Sequence, residues 1–260
     1  MLHNITPVIL TYNEEANIER TLNGLWWAKD IVIVDSYSSD LTCDLIAKYS
    51  QTRPVRRRFD NHATQWNFAI EETGIATEWI LALDADYLVS REFAAELATL
   101  RPTTDCSAYR ADFTYCVFGR PLRGTLYPGI TILFRAGRGR YRQAGHTQRL
   151  EIKGTVENLR EKILHDDRKT LSRWLVSQQK YAALESNYLV TTPLNQLRLT
   201  DRIRRMGWPA PFLVCFYVLF AKGCVFDGWS GWFYVLQRFC AETLIALEVV
   251  SKRLARDNLP

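Results

Sequence analysis

The chain has 260 residues, 47% of them hydrophobic and 23% charged, with a formal net charge of +5. That balance excludes a disordered chain and suits one α/β domain with an appendage. Arginines gather at 53–58, 135–142 and 198–205, which favours an anionic partner such as phosphate groups on a small molecule or a lipid; with no nucleic-acid motif beside them, no nucleic acid is expected.

Ile5 to Thr11 is a short apolar run that ends in Thr11-Tyr12-Asn13-Glu14-Glu15, after which Ile18, Leu22, Leu25 and Trp26 recur at helical spacing. The pattern predicts strand, loop and helix, with Asn13 as N-cap and the two glutamates at the positive end of the helix dipole. Ile31 to Val34, closed by Asp35, predicts a second strand; Ser36 to Asp40 forms its loop, and Leu41, Leu45, Ile46 and Tyr49 the next helix. A third strand is expected over Val55 to Phe59, then a helix burying Trp66, Ala69 and Ile70. Trp79 to Leu83 is an apolar strand that stops at Asp84-Ala85-Asp86. Strands apolar throughout, alternating with helices, predict a mostly parallel sheet covered on both faces. Ligands of such sheets bind beyond the carboxyl ends of the strands, so the loops at 11–14, 35–40 and 84–86 should gather on one edge.

From about residue 107 the texture changes to strands over Ser107 to Phe118, Ile130 to Phe134 and Leu150 to Lys153. After His165-Asp166-Asp167-Arg168 it becomes helical, led by Leu171, Trp174, Leu175, Gln178 and Tyr181. The expected division is a domain over 1–168 and a helical region over 169–260. Within that region Pro211 to Ala221 is apolar but well short of the roughly 20 residues that span a bilayer. With arginines upstream and Trp208, Trp229 and Trp232 among the apolar residues, it reads as an interfacial hairpin, or as helices packed on the protein itself or a second subunit. Cysteines at 43, 106, 116, 215, 224 and 240 form no C-x-x-C pair or zinc spacing and suggest reduced thiols of a cytosolic protein. Met1 to Asn4 lacks a basic n-region, so no signal peptide is expected.

Asp84 and Asp86 carry the sharpest chemical signal. Two carboxylates at the exit of a buried strand suit a divalent cation that neutralises departing phosphates. Asp35 either accepts hydrogen bonds from a ribose or base or caps the helix that begins near Asp40. Thr11, Tyr12 and Glu14 suit contact with a nucleoside, or simply a capped helix start.

Thr6 to Glu15, Ile31 to Asp40 and Leu81 to Asp86, in that order and at those intervals, resemble the three signatures of glycosyltransferase family 2. Within it the chain is similar to bacterial enzymes of lipopolysaccharide core assembly, through Gln65-Trp66-Asn67-Phe68-Ala69, Leu133-Phe134-Arg135, Gly145-His146 and the stretch from Lys222-Gly223 to Asp227-Gly228. The resemblance implies a GT-A fold, a UDP-sugar or related donor, Mg or Mn, and inversion at the anomeric carbon. It places Thr11, Tyr12, Glu14 and Asp35 on the nucleoside, with Ser36, Asn67 and Ala85 in the same nucleotide-sugar site, and Asp84 and Asp86 on metal and diphosphate. His165 stands where this fold carries a metal-ligating histidine, its second nitrogen to be held by Asp166 or Asp167. A lipid-linked glycan at the cytoplasmic face of the bacterial inner membrane is the implied acceptor, with the protein peripheral there.

This chain departs from the family at Trp66, where many relatives carry a basic residue, at Tyr87, where an acidic one is frequent, and at His146-Thr147-Gln148, where related enzymes show a His-Glu pair. Gln148 cannot take a proton. His146 has a suitable unperturbed pKa for the general base, and Asp112 and Glu151 are the alternatives. The rival readings are a catalytically degenerate scaffold that binds a sugar nucleotide or glycolipid, and a sugar-phosphate nucleotidylyltransferase. The latter and a dinucleotide oxidoreductase both call for a Gly-rich loop that Thr11 to Glu15 lacks.

Overall fold

The computed structural model describes residues 1–144 and 147–257. Strands and helices first alternate: β1 (Ile5–Thr11), α1 (Ile18–Asn23), β2 (Ile31–Asp35), α2 (Thr42–Ile46), β3 (Thr52–Arg56), α3 (His62–Glu71) and β4 (Trp79–Asp84). After β5 (Tyr87–Leu88) and α4 (Arg91–Thr99) comes a run of strands: β6 (Cys106–Ala111), β7 (Phe113–Val117), β8 (Arg120–Pro121), β9 (Ile130–Arg135), β10 (Gly139–Ala144), β11 (Thr147–Ile152), β12 (Thr155–Asn158) and β13 (Ile163–His165). The rest is helical: α5 (Leu171–Thr191), α6 (Leu199–Met206), α7 (Pro209–Phe216) and α8 (Gly228–Asp257). Contacts divide the chain into two units, Met1–Pro121 with Tyr127–Arg168, and Leu122–Leu126 with Lys169–Pro260.

In the first unit a seven-stranded sheet runs in the order β12-β6-β9-β4-β1-β2-β3. Every pairing is parallel except the two that β9 makes with β4 and β6. This is the mixed, mostly parallel sheet that the apolar strands predict, and it is covered on both faces. Alternation along β2 divides its residues: Ile31 and Ile33 join Ile18, Leu22, Leu25, Phe93 and Leu97 on one face, while Val32 and Val34 join Trp66, Ala69 and Tyr141 on the other. Helices α1 and α4 therefore close one side, and α3 with the β10–β11 hairpin closes the other.

Several boundaries differ from the sequence expectation. Asn13 does not cap a helix: it has φ 55°, and α1 begins five residues later behind Asn17. Trp26 is exposed, because α1 ends at Asn23 before the apolar spacing reaches it. The third strand lies over Thr52–Arg56 rather than Val55 to Phe59; as the sheet's edge it tolerates Pro54, whose missing donor would disrupt a central strand. The predicted strand over 107–118 divides at Asp112 into β6 and β7, which belong to different sheets. All six cysteines are free thiols.

In the second unit α5 packs along α8, and Leu189, Leu197 and Val249 form a buried cluster. Tyr234 of α8 is fully buried, and its hydroxyl accepts a hydrogen bond from the Leu126 amide at 3.0 Å, which binds the 122–126 segment to the helix. Arg204 of α6 donates Nε to Glu242 Oε2 at 2.9 Å and Nη2 to Oε1 at 2.5 Å, with Glu185 at 3.6 Å. Glu242 is 5% exposed, so this fork compensates the burial of its carboxylate. Glu242→Gln should lower stability by about 2 kcal/mol, less than the roughly 3–5 kcal/mol of a fully buried broken pair because Glu185 remains. Chemical denaturation followed by tryptophan fluorescence reads this, and an unchanged midpoint would show that the pair contributes nothing.

Helix α7 runs on through a π-helical turn over Tyr217–Ala221, and the chain then bends by 74° into the segment from Cys224. Gly223 and Gly228, at φ 73° and 58°, supply the left-handed conformations that flank the bend. Among the described residues no single helix is long and apolar enough to cross a membrane, although the bent pair passes that test together.

Candidate functional site

The carboxyl ends of β1, β2 and β4 bring the three predicted loops together. Parallel register sets Thr11 beside Asp35 and Leu10 beside Asp84. Thr11 Oγ1 donates to Asp35 Oδ1 at 3.0 Å, and Asp35 also accepts from the Ser38 amide at 2.9 Å and the Ser38 hydroxyl at 2.5 Å. Asp35 is 1% exposed, so these donors compensate a buried carboxylate and lock the loop after β2 onto β1. It does not cap the helix near Asp40; Asp40 itself accepts from the Thr42 amide at 3.0 Å. Asn13 Oδ1 accepts from the Ser39 amide at 2.7 Å, and the Glu14 amide donates to Thr42 Oγ1 at 2.6 Å, so the two loops are laced together. The Ser36 amide donates to the Thr11 carbonyl, and its hydroxyl accepts from Gln65 Nε2. Tyr12 stands exposed above them.

At the end of β4, Asp84 bonds with the Tyr87 hydroxyl. Asp86 Oδ2 lies 3.3 Å from His165 Nε2. Burial and the Asp86 charge raise the pKa of Asp84 against the opposing effects of Tyr87 and His165. For His165, burial opposes the charged form, but the contact with Asp86 outweighs it and the pKa is raised. The imidazole sits among Tyr127, Tyr115, Tyr87 and Phe113, ring centroids 4.8, 5.0, 5.2 and 5.9 Å away. Carboxylate oxygens beside an imidazole nitrogen form a donor set suited to Mg or Mn. His165 Nδ1 is buried with no hydrogen-bond partner among the described residues. Among those residues no three His, Cys, Asp or Glu side chains form a ready metal cluster.

The Glycosyl transferase family 2 model matches residues 6–143, more than half of the chain. The chain belongs to glycosyltransferase family 2. It is 33% identical over 108 residues to an uncharacterized glycosyltransferase of Rickettsia bellii, covering 41% of this chain but only 36% of that protein. Its likeness to the lipopolysaccharide core biosynthesis glycosyltransferase LpsC of Rhizobium meliloti is 27% over 201 residues and covers 72% of each. Among solved structures, S. aureus TarS 1-349 in complex with UDP-GlcNAc aligns over 96% of this chain and 92% of its own at TM-score 0.47 and 14% identity.

In this family 2 chain a network unread in the sequence holds His165 in place. Asn17 donates to Glu14 Oε2 and Asp167 Oδ1, both at 3.0 Å, and accepts from Arg20 Nη2 at 2.6 Å and the Arg168 amide at 3.0 Å. Arg20 Nη1 donates to Asp166 Oδ2 at 2.6 Å, and Arg168 pairs with the same oxygen. Asp166 Oδ1 accepts from the Gly119 amide. Thus Asp166 and Asp167 anchor the segment after β13 to α1, instead of holding the second nitrogen of His165. Thr21 Oγ1 donates to the Ala85 carbonyl at 2.6 Å, which fixes the turn between the two aspartates.

Two residues expected on the nucleotide sugar are otherwise engaged. Both ends of the Asn67 amide close on the backbone of Tyr141, donating to its carbonyl and accepting from its amide at 2.9 Å each, so Asn67 braces α3 to β10. The Ala85 side chain is packed in the core. Of the alternatives for general base, Glu151 pairs with Arg142 at 2.6 Å and lines a different cavity from the one that contains Asp84. His146, with Gly145, lies outside the described residues.

Proposed function

We propose that this chain transfers a sugar from a nucleotide-sugar donor, with a UDP-sugar favoured, to a lipid-linked glycan or lipopolysaccharide-type acceptor, with a divalent cation and with inversion at the anomeric carbon. The observation that carries the reading is the pair of carboxylates at the end of β4, with His165 against Asp86, in a chain of this family. Asp86 and His165, with Asp84 beside them, would hold Mg or Mn. Such a cation commonly takes one or two carboxylates and completes its shell with substrate phosphates. When bound it neutralises the charge that develops on the departing diphosphate.

The chain's own residues divide the remaining work. Tyr12 offers an exposed ring to the base, Thr11, Ser36 and Asp35 line its edge, and Glu14 faces the ribose. The acceptor oxygen attacks the anomeric carbon as the bond to the diphosphate breaks, and the hydroxyl proton passes to a base, the role proposed for His146. The Asp86 side chain beside His165 is only 13% exposed, and this low exposure strengthens its electrostatic effect.

A location at the inner face of the bacterial inner membrane is part of the same proposal. It is supported by the likeness to LpsC and by a stripe of exposed aromatic residues in the second unit: Trp208, Phe212, Phe216 and Phe220 recur every fourth residue, and all are more than half exposed. A binding screen of UDP-, GDP-, dTDP- and CDP-sugars with Mn tests the donor. UDP-sugars should bind most tightly; binding of none of them would end the transferase reading.

A further inference from the structure

The cavity beside Asp84, about 420 Å³ in volume, holds two cations that donor chemistry leaves unused. Arg110 of β6 and Arg149 of β11 line it together with Asp84, Trp66 and Tyr141. Several other arginines of this unit are neutralised by carboxylates, among them Arg20 by Asp166, Arg53 by Asp30 and Arg57 by Asp60. Among the described residues neither Arg110 nor Arg149 has an ion pair or a side-chain hydrogen bond. The backbone leaves room for the first of them. A Cβ on Gly129, which also lines the cavity, would come 2.9 Å from the Ala111 carbonyl oxygen, 3.0 Å from Arg110 Nε and 2.2 Å from Asp112 Oδ1, so a side chain there would displace its neighbours.

Two permanent cations lining one cavity repel each other and create a positive field in it. A neutral sugar needs hydrogen-bond donors and acceptors, which amides and hydroxyls supply without that repulsion. An anion removes it, and the planar guanidinium fork matches phosphate or carboxylate oxygens two at a time. We propose that Arg110 and Arg149 form a subsite for a phosphate or carboxylate carried by the acceptor sugar. The inference rests on the transferase reading of Asp84 and Asp86, which assigns the donor's own phosphates to the cation.

The test uses the full chain with saturating UDP and Mn, titrated with glucose 6-phosphate, glucuronate and neutral methyl glucoside and followed by calorimetry. The anionic sugars should bind about tenfold or more tightly than the neutral one, since charged hydrogen bonds of this kind are the strong ones. Arg110→Gln and Arg149→Gln should each remove most of that preference, with UDP affinity in parallel titrations within about twofold of wild type. Equal binding of anionic and neutral sugars overturns the proposal, as does a preference that survives both substitutions. A large fall in UDP affinity in both variants would assign the arginines to the donor diphosphate and overturn it too. A wild-type chain that binds none of UDP, GDP, dTDP and CDP would overturn the transferase reading itself, and this inference with it.

Discussion

Asp86→Asn should lower the turnover number by about a thousandfold, because in the proposed mechanism it removes a charge that holds the Lewis-acid cation, which forfeits several kcal/mol, and each 1.36 kcal/mol is tenfold in rate. The substitution changes charge with little change in shape. The Asp86 backbone carbonyl, which accepts from the Asp166 amide at 3.1 Å, is unaffected, so the link between β4 and the segment after β13 remains. The variant should therefore keep the circular dichroism and melting temperature of the wild type to within a few degrees. Removing the partner of His165 also takes away the main contact that favours its protonated form, leaving burial opposed only by the charges of Asp84 and Asp167. The expected readout is nucleoside diphosphate release measured with Mn, with Mg and after chelation. Chelator should reduce the wild type to the level of the variant and leave the variant unchanged. A variant with more than a tenth of wild-type turnover, or a wild type indifferent to chelator, would show that catalysis does not depend on a cation at the end of β4.

The parts of this site that were legible in the sequence are those set by local pattern. An apolar run ending in a carboxylate marks both a buried parallel strand and its carboxyl end, and this is why Asp35, Asp84 and Asp86 could be placed on one edge beforehand. Asn17, Arg20 and Tyr87 were not legible, because their work lies in contacts far along the chain. Asn17 meets Arg168 and Arg20 meets Asp166 across about 150 residues, and neither pairing leaves a periodic trace. Tyr87 was noted as the loss of an acid, whereas the structure gives its phenol to Asp84. The structural work of Asn67 was hidden for a related reason: a polar residue in a family motif suggests a ligand contact, and its bond to the backbone of a strand 74 residues away leaves no local trace. The break of one predicted strand into β6 and β7 was hidden too, since a single exposed Asp112 between apolar residues looks like ordinary alternation until the two halves join different sheets.

The second large effect concerns the helical unit. Phe216→Ser, Phe220→Ser and Trp229→Ser combined should abolish flotation of the protein with vesicles of phosphatidylglycerol. Trp229 is 85% exposed and Phe216 and Phe220 stack on each other at 6.1 Å, so these rings contribute little to the unit's own core. Burying a large apolar side chain contributes about 1.5–3 kcal/mol, so the three together carry about 4 kcal/mol or more, roughly a thousandfold in partition. Cations stand beside the stripe: Lys222 lies over the Tyr217 ring at 5.6 Å, and Arg123 over Phe226 at 5.5 Å. They favour an anionic surface, so replacing phosphatidylglycerol with phosphatidylcholine should weaken flotation without removing it. Added salt should do the same, because it screens the charges and leaves the aromatic contribution intact. If the rings instead face a second copy of the chain, the triple variant will change the sedimentation coefficient and the wild type will ignore vesicles of either composition. The two results cannot both arise from one monomeric protein in dilute solution, so sedimentation and flotation together decide whether the bend at Gly223 presents its aromatic side to lipid.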